Sequence, residues 1–161
     1  MGTINIYTDG AAKGNPGPGG YGVVLEYNGK TKEISQGFQL TTNNRMELLA
    51  VIVAMEAIKD SGHQLIIYSD SKYVVEAVNQ KWVFNWEKTQ YKKKKNPDLW
   101  KRFLKIYRKH NAIFKWVKGH SGHIQNERCD YLAVAAANGT NLIPDKEYIS
   151  TQNNPNTLFN N

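Results

Sequence analysis

Ile4-Asn5-Ile6-Tyr7-Thr8-Asp9-Gly10 is the stretch on which the fold turns. Its β-branched and aromatic residues read as a buried strand, and the glycine after Asp9 reads as the turn that closes it. An acid in the last strand position would stand at the rim of a sheet rather than in its core. An isolated Asp before Gly is more often a turn former than a ligand, so the reading depends on whether other acids converge on the same place.

Three more acids bear on that question, one at a strand end and two in the early turns of helices. Gln64-Leu65-Ile66-Ile67-Tyr68-Ser69 is a second compact strand, and it too ends on an acid, Asp70. A helix is predicted from Thr42 or Asn43, either of which can cap it. Met46, Leu49, Ala50, Val53, Ala54 and Ala57 recur along it at helical spacing until Asp60-Ser61-Gly62 stops it. Glu47 lies in its first turn, where an acid is commonly just a partner for the helix dipole. Asp130 falls in the early turns of a helix over residues 125–137, after a strand over 113–118 and a loop over 119–122 that bears His120.

The rest of the chain fills in an α/β pattern. Residues 21–27 and 31–38 flank Asn28-Gly29, the strongest short-range hairpin signal, so the first third reads as an antiparallel meander. Gly17-Pro18-Gly19-Gly20-Tyr21-Gly22 spells the dinucleotide fingerprint, but that motif must open a helix and here it opens a hairpin. The loop over 10–20 therefore reads as a place where backbone comes close to something. Helices are predicted over 71–80 and 98–110. His120, His123 and Cys129 lack a fourth zinc ligand and finger spacing, while His63 and His110 read as structural.

A chain of 161 residues suits one domain with a sizeable core. We place that domain at residues 1–139 and read 140–161 as a polar tail, disordered over 151–161. No apolar run approaches a membrane span, and the first residues lead straight into strand-like sequence, so a cytoplasmic, monomeric protein is expected. The single cysteine, Cys129, excludes an intrachain disulfide.

Charge is concentrated. Of 21 Lys and Arg against 14 Asp and Glu, residues 81–109 hold 11 bases and two acids, which makes that segment +9 and the remainder −2. A basic arm at about residues 81–97 on a near-neutral body points to a polyanion, with nucleic acid ahead of a membrane. Trp82 and Trp86 lie one helical turn apart, and Lys92-Lys93-Lys94-Lys95 follow. Tryptophans at this spacing are usually core, but the lysines cannot be. Aromatic faces beside a lysine run suit a sugar-phosphate strand.

Thr8-Asp9-Gly10, Gly14-Asn15-Pro16-Gly17-Pro18-Gly19-Gly20-Tyr21-Gly22, Thr41-Thr42-Asn43-Asn44-Arg45-Met46-Glu47, Ser69-Asp70-Ser71, Trp116-Val117-Lys118-Gly119-His120 and Asn126-Glu127-Arg128-Cys129-Asp130 together resemble the type 1 bacterial ribonuclease H. The resemblance covers residues 3–138 in unbroken order. It implies a ribonuclease H-like α/β fold, a five-stranded mixed sheet (an antiparallel meander plus parallel strands) with helices on both faces. It also implies an endonuclease that cuts the RNA strand of RNA/DNA hybrids, leaving 5′-phosphate and 3′-hydroxyl ends.

By the same resemblance Asp9, Glu47, Asp70 and Asp130 ligate two Mg²⁺ ions, with Mn²⁺ able to substitute, and His120 assists proton transfer or product release. All-carboxylate ligands suit such hard cations. Ala12, Lys13 and Gly14 match the backbone that reads 2′-hydroxyls. Asn15, Asn43 and Asn44 match contacts to bases and the DNA strand, and Thr42 and Asn96 match a DNA phosphate pocket. As plain structure, Thr42 and Asn43 are helix caps and Asn15 a turn former.

Leu40 stands where relatives often carry a base, Lys72 where a glutamine is common, and Tyr91 near an expected third tryptophan, on an arm a few residues short. Two alternatives share the fold: a non-catalytic hybrid-binding module, and another nuclease of the superfamily, such as a reverse-transcriptase ribonuclease H domain, integrase or resolvase.

Overall fold

The computed structural model describes residues 2–119 and 122–152. In chain order they form β1 (Thr3–Ala12), β2 (Gly17–Tyr27), β3 (Lys30–Thr41), α1 (Asn43–Glu56), β4 (Gln64–Ser69) and α2 (Lys72–Asn79). There follow α3 (Trp82–Lys88), α4 (Pro97–Tyr107), β5 (Asn111–Trp116), α5 (Ile124–Asn138), β6 (Leu142–Ile143) and α6 (Lys146–Gln152). One mixed sheet runs β5-β4-β1-β2-β3-β6, with β1, β2 and β3 antiparallel and β4, β5 and β6 parallel to their neighbours. The predicted hairpin is present, and Asn28 and Gly29 take φ of 51° and 75°, the left-handed pair a two-residue turn between twisted strands requires.

The sheet has six strands where five are expected. The extra strand, β6, comes from the segment read as a polar tail: Leu142 and Ile143 pair with Gly37 and Phe38, and α6 follows. Two paired residues leave no alternation in the sequence to detect. Residues 153–161, most of the stretch read as disordered, lie outside the described residues.

Helices cover both faces. α1 packs on β1 and β2 and is covered in turn by α4, which is why Met46, Leu48, Leu49, Val51, Ile52 and Met55 are all buried rather than only one stripe. Trp100 and Phe103 of α4 are fully buried, in contact with Trp86 and Phe114. α5 covers the other face, on β1, β2 and β3.

Small residues let α5 lie directly on the strands. A Cβ on Gly20 would come 2.7 Å from Ala133 O, one on Gly22 2.8 Å from Leu132 Cβ, and one on Gly37 would run into Ala136 O. The glycines of the apparent dinucleotide motif thus lie within β2; this helix approaches the backbone of Gly20 and Gly22, whereas Lys13 O approaches Gly17 and Ala11 O and the Thr41 side chain approach Gly19. Buried Cys129, Ala133 and Ala137 form the matching stripe on α5.

Candidate active site

β1 does not end at Asp9. It runs on to Ala12, paired with β2 as far as Ala12↔Gly19, whereas its pairing with β4 stops at Tyr7↔Tyr68. Gly10 is therefore not a turn residue. It is a gap in the strand's surface that admits α1 at Met46 and Glu47, because any Cβ there would overlap Glu47 N and Met46 C; α1 begins at Asn43 and its first turn holds no acid, so Glu47 lies one turn further in than expected. Parallel register places Asp9 and Asp70 two residues beyond the last β1–β4 pair on each strand, side by side where the strands part. α1 delivers Glu47 to the same point.

One oxygen from each of Asp9, Glu47 and Asp70 lies within 4.8 Å of the other two. Asp9 Oδ1 accepts a hydrogen bond from Gly10 N at 2.9 Å, but Glu47 Oε1 and Asp70 Oδ1 are buried with no hydrogen-bond partner among the described residues. Burial, then the charge of Asp70, pushes the Asp9 carboxyl up to about 7 against the stabilising hydrogen bonds from Glu47 and Gly10. Burial, then the charges of Asp9 and Asp70, pushes Glu47 well above the carboxylate range. Orphaned oxygens and raised pKa values are what a divalent cation would relieve, and an all-oxygen donor set fits a hard ion.

Asp130 is not part of that close set. It faces the same cleft from α5, lining it with Asp9 and Asp70, and its charge reaches Asp9. Gly119 brings the loop after β5 against the cluster, since a Cβ on it would sit 2.9 Å from Asp70 Oδ2. His120 lies outside the described residues. Trp116, which sequence reasoning placed in a motif but gave no role, donates from Nε1 to Asp70 O at 3.1 Å, and Lys72 Nζ stands 5.1 Å from the centre of its ring.

A family model described as RNase H matches residues 1–138. The chain belongs to the ribonuclease H family. It is 55% identical over 144 residues to a ribonuclease H of Desulforamulus reducens, covering 86% of this chain and 90% of that one. Among solved structures it resembles LC9-RNase H1, described as a type 1 RNase H with the type 2 active-site motif (TM-score 0.76, 30% identity, 98% of this chain and 84% of that one). It also resembles LC11-RNase H1 in complex with an RNA/DNA hybrid (TM-score 0.61, 30% identity, 84% and 96%). The expected fold and enzyme class, a hydrolase acting as an endonuclease, are borne out.

In this ribonuclease H the polar residues read as substrate contacts also hold the cleft together. Asn43 Oδ1 accepts from Ala12 N at 2.6 Å, Asn15 Oδ1 accepts from Asn43 N at 3.1 Å, and Lys13 N donates to Pro18 O at 2.7 Å. Gly14 takes a φ of 67° in that loop. Thr42 caps α1 through Arg45 N, and Asn44 lines the cleft. Asn96, at the end of the arm, accepts from Arg45 and donates to the Tyr73 hydroxyl.

The arm divides as its chemistry requires. Trp82 is 44% exposed, whereas Trp86 packs edge-on to Trp100 and carries Lys94 Nζ at 5.1 Å from its ring centre. Lys92, Lys93, Lys94 and Lys95 are exposed, and Tyr91 is buried beneath them. Sequence reasoning missed Arg45 and Asp145, which form a buried ion pair at 2.7 Å. Arg45 sat inside a quoted motif and, once buried, had to have a partner; nothing in the sequence pointed to Asp145.

Proposed function

We propose that this ribonuclease H hydrolyses the RNA strand of RNA/DNA hybrids by two-metal-ion catalysis with Mg²⁺, leaving 5′-phosphate and 3′-hydroxyl ends. The observation that carries the reading is the convergence of Asp9, Glu47 and Asp70, with two buried oxygens left unpartnered among the described residues. Asp130, on the opposite wall of the cleft, completes the proposed ligand set with Asp9. Held by these acids, the ions would supply activation of the attacking water near neutral pH and charge relief at the departing 3′-oxygen.

The chain's own residues bind and orient. Loading would displace the protons that burial and mutual repulsion favour on Asp9 and Glu47. Asn43 and Asn44 line the cleft, Ala12 and Asn15 are hydrogen-bonded to Asn43, and these four with Lys13 and Gly14 are assigned to the minor groove, where 2′-hydroxyls distinguish RNA from DNA. Thr42 and Asn96 are assigned to a DNA phosphate, and Trp82, Trp86 and Lys92 to Lys95 to the backbone beyond it. His120 is assigned to proton transfer or product release. We further propose that the protein works as a cytoplasmic monomer; among the described residues no helix is long and apolar enough to cross a membrane.

The test offers end-labelled RNA/DNA, RNA/RNA and DNA/DNA duplexes with Mg²⁺ and then with chelator. Cleavage of the RNA strand of the hybrid alone, abolished by chelator and by Asp70→Asn, is expected. Hybrid binding without Mg²⁺-dependent cleavage would reduce the protein to a binding module.

A further inference from the structure

Arg45 is 3% exposed, and all five of its guanidinium N–H groups are committed. Two go to Asp145 (Nε to Oδ2 at 2.7 Å, Nη2 to Oδ1 at 2.9 Å) and two to Asp98 (Nη1 at 3.0 Å, Nη2 at 2.8 Å). The fifth reaches Asn96 Oδ1 at 3.2 Å. Asp145 is itself 8% exposed and accepts a further bond from Thr41 Oγ1 at 2.8 Å. It lies beyond residue 138, where the family match ends, on the short link between β6 and α6.

The network continues toward the cleft. Asn96 Nδ2 donates to the Tyr73 hydroxyl at 3.0 Å, Trp100 Nε1 donates to the same oxygen at 2.9 Å, and Tyr73 lines the cleft beside Lys72 and Asp70. Asn96 is also where the basic arm ends. It holds a left-handed φ of 61° immediately before Pro97, a conformation that needs outside support. Arg45 bridges Asp145 to Asp98 and Asn96, so losing the Asp145 carboxylate leaves two of its buried N–H groups without their acceptors and frees the guanidinium to shift away from Asn96.

We propose that Asp145 is a positioning residue for hybrid binding: through Arg45, Asn96 and Tyr73 it fixes the wall of the cleft and the end of the basic arm. The inference rests on the functional reading above and assigns the segment after residue 139 a part in that function. Asp145 touches no substrate; it holds the side chains that do.

The experiment measures hybrid affinity by fluorescence anisotropy in chelator, well below the melting temperature, and steady-state cleavage with Mg²⁺. Asp145→Asn should weaken binding and raise KM about tenfold, a loss of about 1.4 kcal/mol, with kcat within about twofold. Asp145→Glu should recover part of the affinity. Tyr73→Phe, which removes only the far hydroxyl, should weaken binding by a smaller factor. The double variant should lose less than the product of the two effects, since both act through one network. An unchanged affinity in Asp145→Asn alongside a lowered Tm, or two effects that multiply, would overturn the proposal and leave Asp145 purely structural. A wild-type protein that bound no hybrid would instead overturn the functional reading, and this inference with it.

Discussion

Gly10 lies directly under α1 at Met46 and Glu47, so close that a Cβ on it would overlap the backbone nitrogen of Glu47 and stand 2.8 Å from Met46 Cβ. The absence of a side chain on β1 therefore sets how near Glu47 comes to Asp9. Gly10→Ala should push the helix start outward, lower stability by about 1–3 kcal/mol as overpacking does, and reduce kcat by one to two orders of magnitude, roughly what a ~1 Å misplacement costs. Thermal melts and single-turnover cleavage check it; wild-type kcat in a folded Gly10→Ala protein would show that this contact does not position Glu47.

The acidic cluster makes metal-free stability depend on pH with a definite sign. Asp9 titrates at about 7 in the folded protein against an ordinary 3.8, so the folded state holds its proton more tightly than the unfolded state. That contribution to stability is full below about pH 4 and is lost as pH rises through 7. At 1.36 kcal/mol per pH unit the loss has a ceiling of about 4 kcal/mol. In chelator, wild-type protein should melt lower at pH 8 than at pH 5.5, and Asp9→Asn should flatten the difference while raising the pH 8 value. Equal or lower stability of Asp9→Asn at pH 8 would argue against a strained carboxylate cluster.

Loading the site should reverse that strain. A cation held by Asp9, Glu47 and Asp70 must displace the protons that burial and mutual repulsion keep there. Titrating Mg²⁺ into weakly buffered protein near pH 6 should therefore release protons and raise Tm, with about 2.7 kcal/mol of stabilisation at a hundredfold excess over Kd. Glu47→Gln should release fewer protons and gain less Tm. Calorimetry in two buffers of different ionisation enthalpy measures the release directly, and a value of zero would rule out these acids as the ligands.

The two strands that carry Asp9 and Asp70 were legible because each is a short β-rich run followed by an acid, and parallel pairing then brings the acids together. The end of β1 was not legible. Gly10 carries the same signal whether it turns the chain or admits a helix, and only the tertiary contact with Met46 and Glu47 separates the two. The same ambiguity hid the role of Gly20 and Gly22, which make room for α5. β5 begins at Asn111, two residues before the predicted start at Ile113, because its pairing with Gln64 and Leu65 extends it through a polar residue. Asp145 illustrates the other limit: a lone acid in a polar stretch becomes a buried ion-pair partner only through a contact 100 residues away.

The basic segment is not a uniform field, and its salt response should show that. Arg102 and Arg108 are engaged in two-point ion pairs with Glu56 and Glu87, so they already have intramolecular counterions. Lys92, Lys93, Lys94 and Lys95 are exposed on the arm, one of them seated over Trp86. Replacing all four lysines with Ala should raise KM for the hybrid and leave kcat nearly unchanged. The slope of log affinity against log salt should flatten by up to about 0.9 for each phosphate that the variant no longer neutralises. Arg108→Ala should change the slope far less, because removing it frees Glu87 rather than a phosphate. Affinity measured at several salt concentrations separates the cases: an unchanged slope in the four-lysine variant would take the arm out of the interface, and a large change in Arg108→Ala would mean that its ion pair opens when the hybrid binds.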